Sequence, residues 1–309
     1  FVDCNRLGQA GPALHAHECE RYADKFKAFG WHAVVIDGHD IAAIIGAIQQ
    51  AQAVKGQPSV IVAHTIKGHG ISDVQDRIGF HGKPFKADEL STLIALLNER
   101  FKVQASSAAT ADVKPPLPAV RSLKSISTAA ALHLDLGLDP YASFFAVGKK
   151  ISTRKAFGYA LATLGRRSDK VFALDGDVSN STFTELFQKD CPDRFIQCFI
   201  AEQNMVGVAT GLALRGKVPF ASTFGAFFTR CYYQVRMAGV GRVPLRLCGS
   251  HSGVSIGQDG PSQMGLEDLG MMRAVPQSVV LWPSDGISAY KLVEQMARYA
   301  DGISYLKTT

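Results

Sequence analysis

The chain has 309 residues, a hydrophobic fraction of 47% and a formal net charge of +6. Such a length holds two domains of roughly 150 residues each, and no run reaches the roughly 18 uncharged apolar residues of a membrane span. Lys and Arg are scattered without a nucleic-acid recognition motif, so neither nucleic acid nor a membrane is expected as a partner. The modest positive charge fits either a solvated basic surface or a cleft that attracts anionic substrates.

Apolar runs and helical stripes alternate in the first part of the chain. Strands are predicted at residues 1–5, 31–37 and 59–63, and helices at residues 17–29 and about 41–54. The strands are continuous apolar runs rather than alternating ones, which is typical of a parallel sheet covered by helices on both faces. The chain begins inside such a run, so this first domain, residues 1–104, is expected to be incomplete.

The sequence changes character at residues 105–147. Ala, Ser and Pro dominate there and periodicity is lost, which predicts a surface linker between two domains. A second α/β domain is predicted over residues 148–309, cut short at its C-terminal end. Its strands are predicted at residues 171–174, 194–198, 219–222, 245–248, 278–281 and 304–309, and its helices at residues 154–164, 184–188, 203–214, 227–238 and 286–299. The predicted fold class is therefore α/β, with two parallel-sheet domains.

The six cysteines show neither a CxxC motif nor the spacing of a metal site. Cysteines in such a pattern are typically reduced and mostly buried thiols, as in a cytoplasmic protein. No disulfide framework is predicted.

Two polar segments follow predicted strands of the first domain. In residues 3–9 (DCNRLGQ), the amide oxygen of Asn5 and a backbone carbonyl are hard ligands suited to Mg²⁺ or Ca²⁺. An ordinary Asx turn explains the same residues and is favoured when this segment is considered by itself. In residues 67–71 (KGHGI), with His81 downstream, one Lys and two His residues could line an anionic site. A flexible surface loop explains this second segment equally well.

The second domain offers a candidate carboxylate and a candidate loop. Glu202 follows a predicted strand and begins an apolar helix, where a first-turn Glu also serves simply to compensate the helix dipole. Residues 249–263 are rich in Gly and Ser and are too long and polar for a simple connection. This loop contains His251, Asp259 and Gln263. The aromatic run that includes Phe227 would more often belong to a core than to a cofactor platform.

These segments, in this order, resemble the transketolase family. Residues 3–9 are similar to the second half of its diphosphate-metal motif, residues 200–205 to its catalytic-glutamate segment and residues 251–263 to its active-site loop. Residues 154–156 and 175–183 resemble the opening of its pyrimidine-binding domain. Several long strings in one order are a specific signal, and they favour the functional interpretation of each segment over the structural one.

The resemblance implies a role for each candidate residue. The implied metal ligands are Asn5 and, through its carbonyl, Leu7, and the implied cofactor contacts are Asn5, Lys67, His81, Glu202, Phe227 and Gln263. The implied substrate contacts are Arg154, Ser181, His251 and Asp259, and the implied catalytic residues are Glu202, His81 and His251. In the family pattern Glu202 bonds the aminopyrimidine ring, Phe227 stacks on that ring, and Arg154 with Ser181 clamps the substrate phosphate.

The resemblance also implies an activity. It is that of a thiamine-diphosphate-dependent transferase that moves two-carbon ketol units between sugar phosphates in the pentose phosphate pathway. Mg²⁺ or Ca²⁺ and a cytoplasmic homodimer with the cofactor at the subunit interface are implied as well. The upstream half of the metal motif and a C-terminal domain are not in these 309 residues, so the chain by itself is expected to be inactive. The alternatives are deoxyxylulose-phosphate synthase, dihydroxyacetone synthase, and a non-catalytic, binding-only fragment or transketolase-like pseudoenzyme.

Overall fold

The computed structural model of the protein describes residues 1–8, 11–80, 84–101, 141–146 and 148–309. The contacts divide the chain into two compact units, Phe1–Lys114 and Pro115–Thr309. The predicted linker, residues 105–147, lies almost entirely outside the described residues, and its boundaries stay a prediction. None of the described helices is long and apolar enough to cross a membrane.

The first unit has a three-stranded parallel sheet in the order β1-β3-β2. Its strands are β1 (Val2–Cys4), β2 (His32–Asp37) and β3 (Ser59–His64), and its helices are α1 (Cys19–Ala28), α2 (Ile41–Ala53) and α3 (Ala87–Arg100). Helix α2 begins where predicted because the Asp40 side chain caps it by accepting from the backbone N–H groups of Ala42 and Ala43. Helix α3 was not predicted, and none of its residues is buried.

The second unit has a six-stranded parallel sheet in the order β5-β4-β6-β7-β9-β8. Its strands are β4 (Val171–Asp175), β5 (Phe195–Gln197), β6 (Val218–Phe224), β7 (Arg246–Ser250), β8 (Val279–Leu281) and β9 (Ser304–Lys307). Its helices are α4 (Thr153–Arg167), α5 (Ser179–Thr182), α6 (Glu185–Asp190), α7 (Glu202–Leu214), α8 (Tyr232–Val240), α9 (Asp268–Arg273) and α10 (Gly286–Arg298). All six predicted strands are present, and the parallel α/β prediction is confirmed.

Both faces of this sheet are buried, which explains why its strands are continuously apolar. Phe220 of β6 packs in a cluster with residues of α4, α6 and α10, whereas the next residue, Ala221, packs in a second cluster with residues of α7, α8 and α9. Successive side chains of a strand point to opposite faces, so a sheet covered on both sides needs apolar residues at every position. The core of the second unit therefore has two layers, one on each side of the sheet.

One charged residue lies inside this core. Arg246, the first residue of β7, is fully buried, and its guanidinium donates to the backbone carbonyls of Pro244, Met296, Ala297 and Tyr299 at distances of 2.8 to 3.4 Å. Burial lowers the pKa of Arg246 to about 9, so the side chain still carries its charge near neutral pH. The guanidinium thereby provides donors to carbonyls at the C-terminal end of α10, which have no partner within the helix.

The prediction that the cysteines are reduced and mostly buried is confirmed. All six cysteines are buried and free, and none forms a disulfide. Burial raises the pKa of the Cys198 thiol to about 11 and that of the Cys231 thiol to about 12. These thiols are therefore protonated near neutral pH and pack as small apolar residues.

Candidate active site

Glu202 is a buried carboxylate without a good hydrogen-bond donor. It is the first residue of α7, and only 2% of its surface is exposed. Its Oε2 lies 3.0 Å from Nη1 of Arg230, but no N–H group of any described residue is aimed at that oxygen. The Arg230 side chain is 56% exposed, so water screens this ion pair. The described residues thus leave this buried oxygen without a hydrogen-bond donor.

A stack of three rings lies beside the end of β6. The Phe227 and Phe224 ring centroids are 4.9 Å apart, and the Phe224 and His251 centroids are 4.0 Å apart, with interplanar angles of 16° and 17°. The prediction assigned a role to Phe227 but missed Phe224, which is buried at the centre of the stack. Its position as the last residue of a buried strand was the available signal, because sites in parallel sheets form at the carboxyl ends of the strands.

His251 begins the candidate loop in a strained conformation. It is buried, and its backbone has a φ of 54°, in the left-handed region. Its Nδ1 lies 3.1 Å from the hydroxyl of Ser250, and its Nε2 lies 3.5 Å from Nη1 of Arg154 and 4.0 Å from a carboxylate oxygen of Asp259. Burial, and secondly the charge of Arg154, lower the pKa of His251, against the opposing effect of Asp259. The ring is therefore largely neutral near pH 7.

Arg154 lies at the centre of the predicted substrate contacts. Its Nη1 donates to the carbonyl of Ser181 at 3.2 Å, and its guanidinium lies 5.5 Å from the centroid of the Phe183 ring. The same Nη1 lies 3.5 Å from Nε2 of His251, so Arg154 contacts both Ser181 and His251. The structure therefore brings together all four residues that were predicted to bind substrate, namely Arg154, Ser181, His251 and Asp259.

Gln263 lies further along the same loop. Its backbone N–H donates to the carbonyl of Gly260 at 3.3 Å, and its side-chain oxygen accepts from the hydroxyl of Ser262. A bridge between Ser252 and Gly265 closes the neck of the loop. The hydrogen bonds described for the Gln263 side chain involve neither Glu202 nor Phe227, so its place near the cofactor stays a prediction.

In the first unit, Asn5 forms the Asx turn that the sequence left open. Its Oδ1 accepts from the backbone N–H of Leu7 at 3.0 Å, and its Nδ2 donates to a carboxylate oxygen of Asp3 at 2.8 Å. A carbonyl oxygen has a second lone pair, so this turn is compatible with a metal bond. Asn5 and the Leu7 carbonyl give at most two oxygen ligands, and no cluster of three or more His, Cys, Asp or Glu suited to a metal occurs among the described residues. These residues could form only part of a metal site.

Lys67 follows β3 in a loop whose backbone hydrogen-bonds to the side chain of His39. The Nε2 of His39 accepts from the backbone N–H of Ile66 at 2.8 Å, and the His39 ring stacks on that of His69 at 3.9 Å. The Lys67 carbonyl accepts from the backbone N–H of Asp76 at 2.9 Å. His81, the other residue predicted in this region, lies outside the described residues.

Comparison with known proteins decides the family. Residues 149–309 match the family model "Transketolase, pyrimidine binding domain", and residues 1–113 match "Transketolase, thiamine diphosphate binding domain". The chain belongs to the transketolase family. Human transketolase is 46% identical over 310 aligned residues, which cover 100% of this chain and 47% of the human protein. Mouse transketolase-like protein 2 is 42% identical with the same coverage. The chain thus spans about half the length of the curated relatives it matches.

Solved structures confirm the fold. Transketolase from Campylobacter jejuni matches with a TM-score of 0.71 and 21% identity, over 99% of this chain and 50% of that one. Transketolase from Pichia stipitis in complex with sedoheptulose 7-phosphate matches with a TM-score of 0.71 and 20% identity, over 99% and 51% of the two chains. The prediction of two transketolase-type α/β domains, made from the sequence strings, is confirmed.

Proposed function

We propose that the protein to which this chain belongs is a transketolase. It transfers a two-carbon ketol unit reversibly from a ketose phosphate to an aldose phosphate, in the pentose phosphate pathway of the cytoplasm. The observation that supports this most directly is Glu202, a buried carboxylate whose Oε2 accepts no hydrogen bond from the described residues. A buried charged oxygen without a donor is costly, so such a residue points to a ligand that supplies the donor.

Thiamine diphosphate fits this requirement. Its aminopyrimidine ring carries nitrogen atoms that can donate to Glu202, and Phe227, the outer ring of the stack, can offer a flat face to that ring. When bound, the cofactor supplies the nucleophilic carbon and the electron sink for cleavage of the ketose. The task of Glu202 is to hold one proton arrangement of the ring, and burial of the carboxylate strengthens that bond.

The cluster around Arg154 suits a phosphorylated sugar. A guanidinium binds a terminal phosphate through two parallel bonds, and the Arg154 side chain is already held by the Ser181 carbonyl. The neutral ring of His251 can donate to or accept from a sugar hydroxyl, and the carboxylate of Asp259 accepts from a second one. His251, together with His81 of the first domain, moves protons as the carbon–carbon bond breaks.

Asn5, the Leu7 carbonyl, Lys67 and His81 are proposed to hold the diphosphate end of the cofactor together with Mg²⁺ or Ca²⁺, and Gln263 to contact its other end. These residues would supply only part of the metal ligands, so further oxygen ligands must come from the diphosphate, from water or from residues beyond this chain.

We further propose a homodimer with the cofactor at the subunit interface. Helix α8 exposes an apolar stripe with the spacing of one helix face, formed by Tyr233, Met237 and Val240, whose exposed fractions are 65%, 44% and 56%. An uncovered stripe of this kind is typical of a surface that packs against another chain. A second copy of the chain is the occupant that the family suggests.

Two assays on the full-length protein test this function. We expect ketol transfer from a ketose phosphate to ribose 5-phosphate, and no condensation of pyruvate with glyceraldehyde 3-phosphate. The opposite preference would identify a deoxyxylulose-phosphate synthase. Titration with thiamine diphosphate and Mg²⁺ in a calorimeter is expected to show saturable binding. Binding without transfer of any ketol unit would indicate the non-catalytic alternative.

A further inference from the structure

We infer that Asp175 is a positioning residue for the phosphate subsite of Arg154 and Ser181. This inference rests on the proposed function, because it concerns the sugar phosphate that such an enzyme binds. Asp175 is the last residue of β4 and is completely buried. Neither composition nor the family roles given above assign it a task.

The Asp175 carboxylate ties down the segment that follows it. Oδ1 accepts from the backbone N–H of Val178 at 2.7 Å, and Oδ2 accepts from the hydroxyls of Thr182 and Thr184 at 2.7 and 2.8 Å. Both threonines are completely buried. Burial raises the pKa of Asp175, while the bonds from Thr182, Val178 and Thr184 oppose that rise. One carboxylate thus organises a turn of seven residues, 178–184.

The turn needs such an anchor because its backbone is strained. Asp177, just before the turn, and Phe183, within it, have φ values of 68° and 61°, in the left-handed region that residues with a Cβ rarely adopt. Each such residue costs about 1 kcal/mol or more and persists only where its surroundings hold it. The three bonds to Asp175 are made by residues between or next to these two positions. Without the carboxylate, we expect the turn to relax.

Relaxation of the turn would move the phosphate subsite. The turn packs against α4 at Gly158, where an added Cβ would lie only 2.6 Å from the Cβ and the carbonyl oxygen of Phe183. Arg154 lies one helical turn before Gly158 on the same face of α4. Its guanidinium contacts the Phe183 ring and the Ser181 carbonyl, so the turn defines where the guanidinium rests. Asp175 therefore acts on phosphate through Ser181 and Arg154, without touching the substrate.

The test compares phosphorylated with unphosphorylated donors. In the full-length protein, Asp175→Ala is expected to lower kcat/KM for xylulose 5-phosphate by about ten- to a hundredfold, mainly through KM, and to leave xylulose itself nearly unaffected. Asp175→Asn should lie between wild type and Asp175→Ala, because its amide keeps one acceptor and the threonine hydroxyls can rotate to accept from the other side. If the Asp175→Ala variant does not fold, the same comparison of donors is made with Asp175→Asn and Thr184→Val, which are expected to show the same selective loss.

Arg154→Ala is the reference and Thr163→Val the matched control. Thr163 is another buried threonine of the same unit, and its hydroxyl donates to the Tyr159 carbonyl on α4, away from the turn. Selective loss for the phosphorylated donor in the Arg154 and Asp175 variants, but not in Thr163→Val, would support the inference. Selective loss in Arg154→Ala, with Asp175 variants that damage both donors equally or neither, would overturn it and leave the proposed function standing. A non-selective Arg154→Ala would overturn the phosphate subsite and the role of Asp175 together.

Discussion

Replacing Glu202 with glutamine should separate activity from stability. The change keeps the size of the side chain and removes a charge that is 98% buried and has no aligned donor among the described residues. The cofactor then loses a charge-assisted bond to a buried carboxylate. We expect turnover of the full-length protein to fall roughly 10²- to 10⁴-fold, equivalent to about 3 to 5 kcal/mol.

The same substitution should not destabilise the cofactor-free protein. The only cation near the Glu202 carboxylate in the described structure is Arg230, whose side chain is 56% exposed, and an ion pair with so exposed a partner contributes about 1 kcal/mol or less. Removing a buried charge relieves a desolvation cost of similar or larger size. We therefore expect the free energy of unfolding, measured with urea in the absence of cofactor, to stay the same or to rise by about 1 kcal/mol.

Glu185→Gln is the matched control for this experiment. Glu185 is also the first residue of a helix, α6, but it is exposed. The Glu185→Gln variant should keep its activity, and its free energy of unfolding should change by no more than a few tenths of a kcal/mol. Turnover of Glu202→Gln within threefold of wild type would remove Glu202 from its role. A clear loss of stability in the cofactor-free Glu202→Gln protein would show that the carboxylate is structural.

The remaining predictions concern His251, Arg246 and Asn5. The pKa of His251 is lowered from its ordinary 6.5, so below that pH the unfolded chain binds a proton that the folded protein resists. Stability should therefore decline as the pH falls from about 6.5. The His251→Gln variant should show a smaller difference in Tm between pH 7.5 and pH 5.5 than the wild type. An unchanged difference would contradict this reasoning. Arg246→Met should cost about 2 to 4 kcal/mol in urea unfolding, because several buried carbonyls lose their donor, and Arg246→Lys should cost less; a neutral Arg246→Met would disprove it. Asn5→Ala should raise the Mg²⁺ concentration for half-maximal activity about tenfold or more in the full-length protein, whereas an unchanged requirement would exclude Asn5 as a ligand.

Strands and most helices could be predicted because their signals are local. Strand β3 lies between two others and is buried, so its residues form an apolar run that few other structures tolerate. Helix α3 was not predicted. None of its residues is buried, so its apolar positions do not mark a face that packs into a core. The helix predicted at residues 227–238 begins instead as a 3₁₀ turn, Ala226–Cys231, before α8. Helix ends of this kind are decided by packing rather than by propensity.

The site residues show the same division. Glu202, Phe227 and the loop of His251 lie in polar or aromatic strings that the sequence displays directly. Arg154 approaches His251 although the two residues are 97 positions apart in the sequence, because the parallel sheet gathers the carboxyl ends of its strands at one edge. Phe224 was given no role from the sequence, and only the ring stack places it between Phe227 and His251.

The sequence by itself determined the family, the α/β class and the candidates for chemistry, since these depend on residue types and their order along the chain. Only the tertiary structure decided which groups are deprived of water and which partners they then have. The oxygen of Glu202 without a donor and the carboxylate of Asp175, whose two oxygens both accept hydrogen bonds, belong to buried acidic groups at or after strand ends, and no local pattern distinguishes them. The fold places three hydrogen-bond donors around Asp175 and none at the buried oxygen of Glu202 among the described residues. The cost of an unpaired buried charge therefore depends on its three-dimensional surroundings.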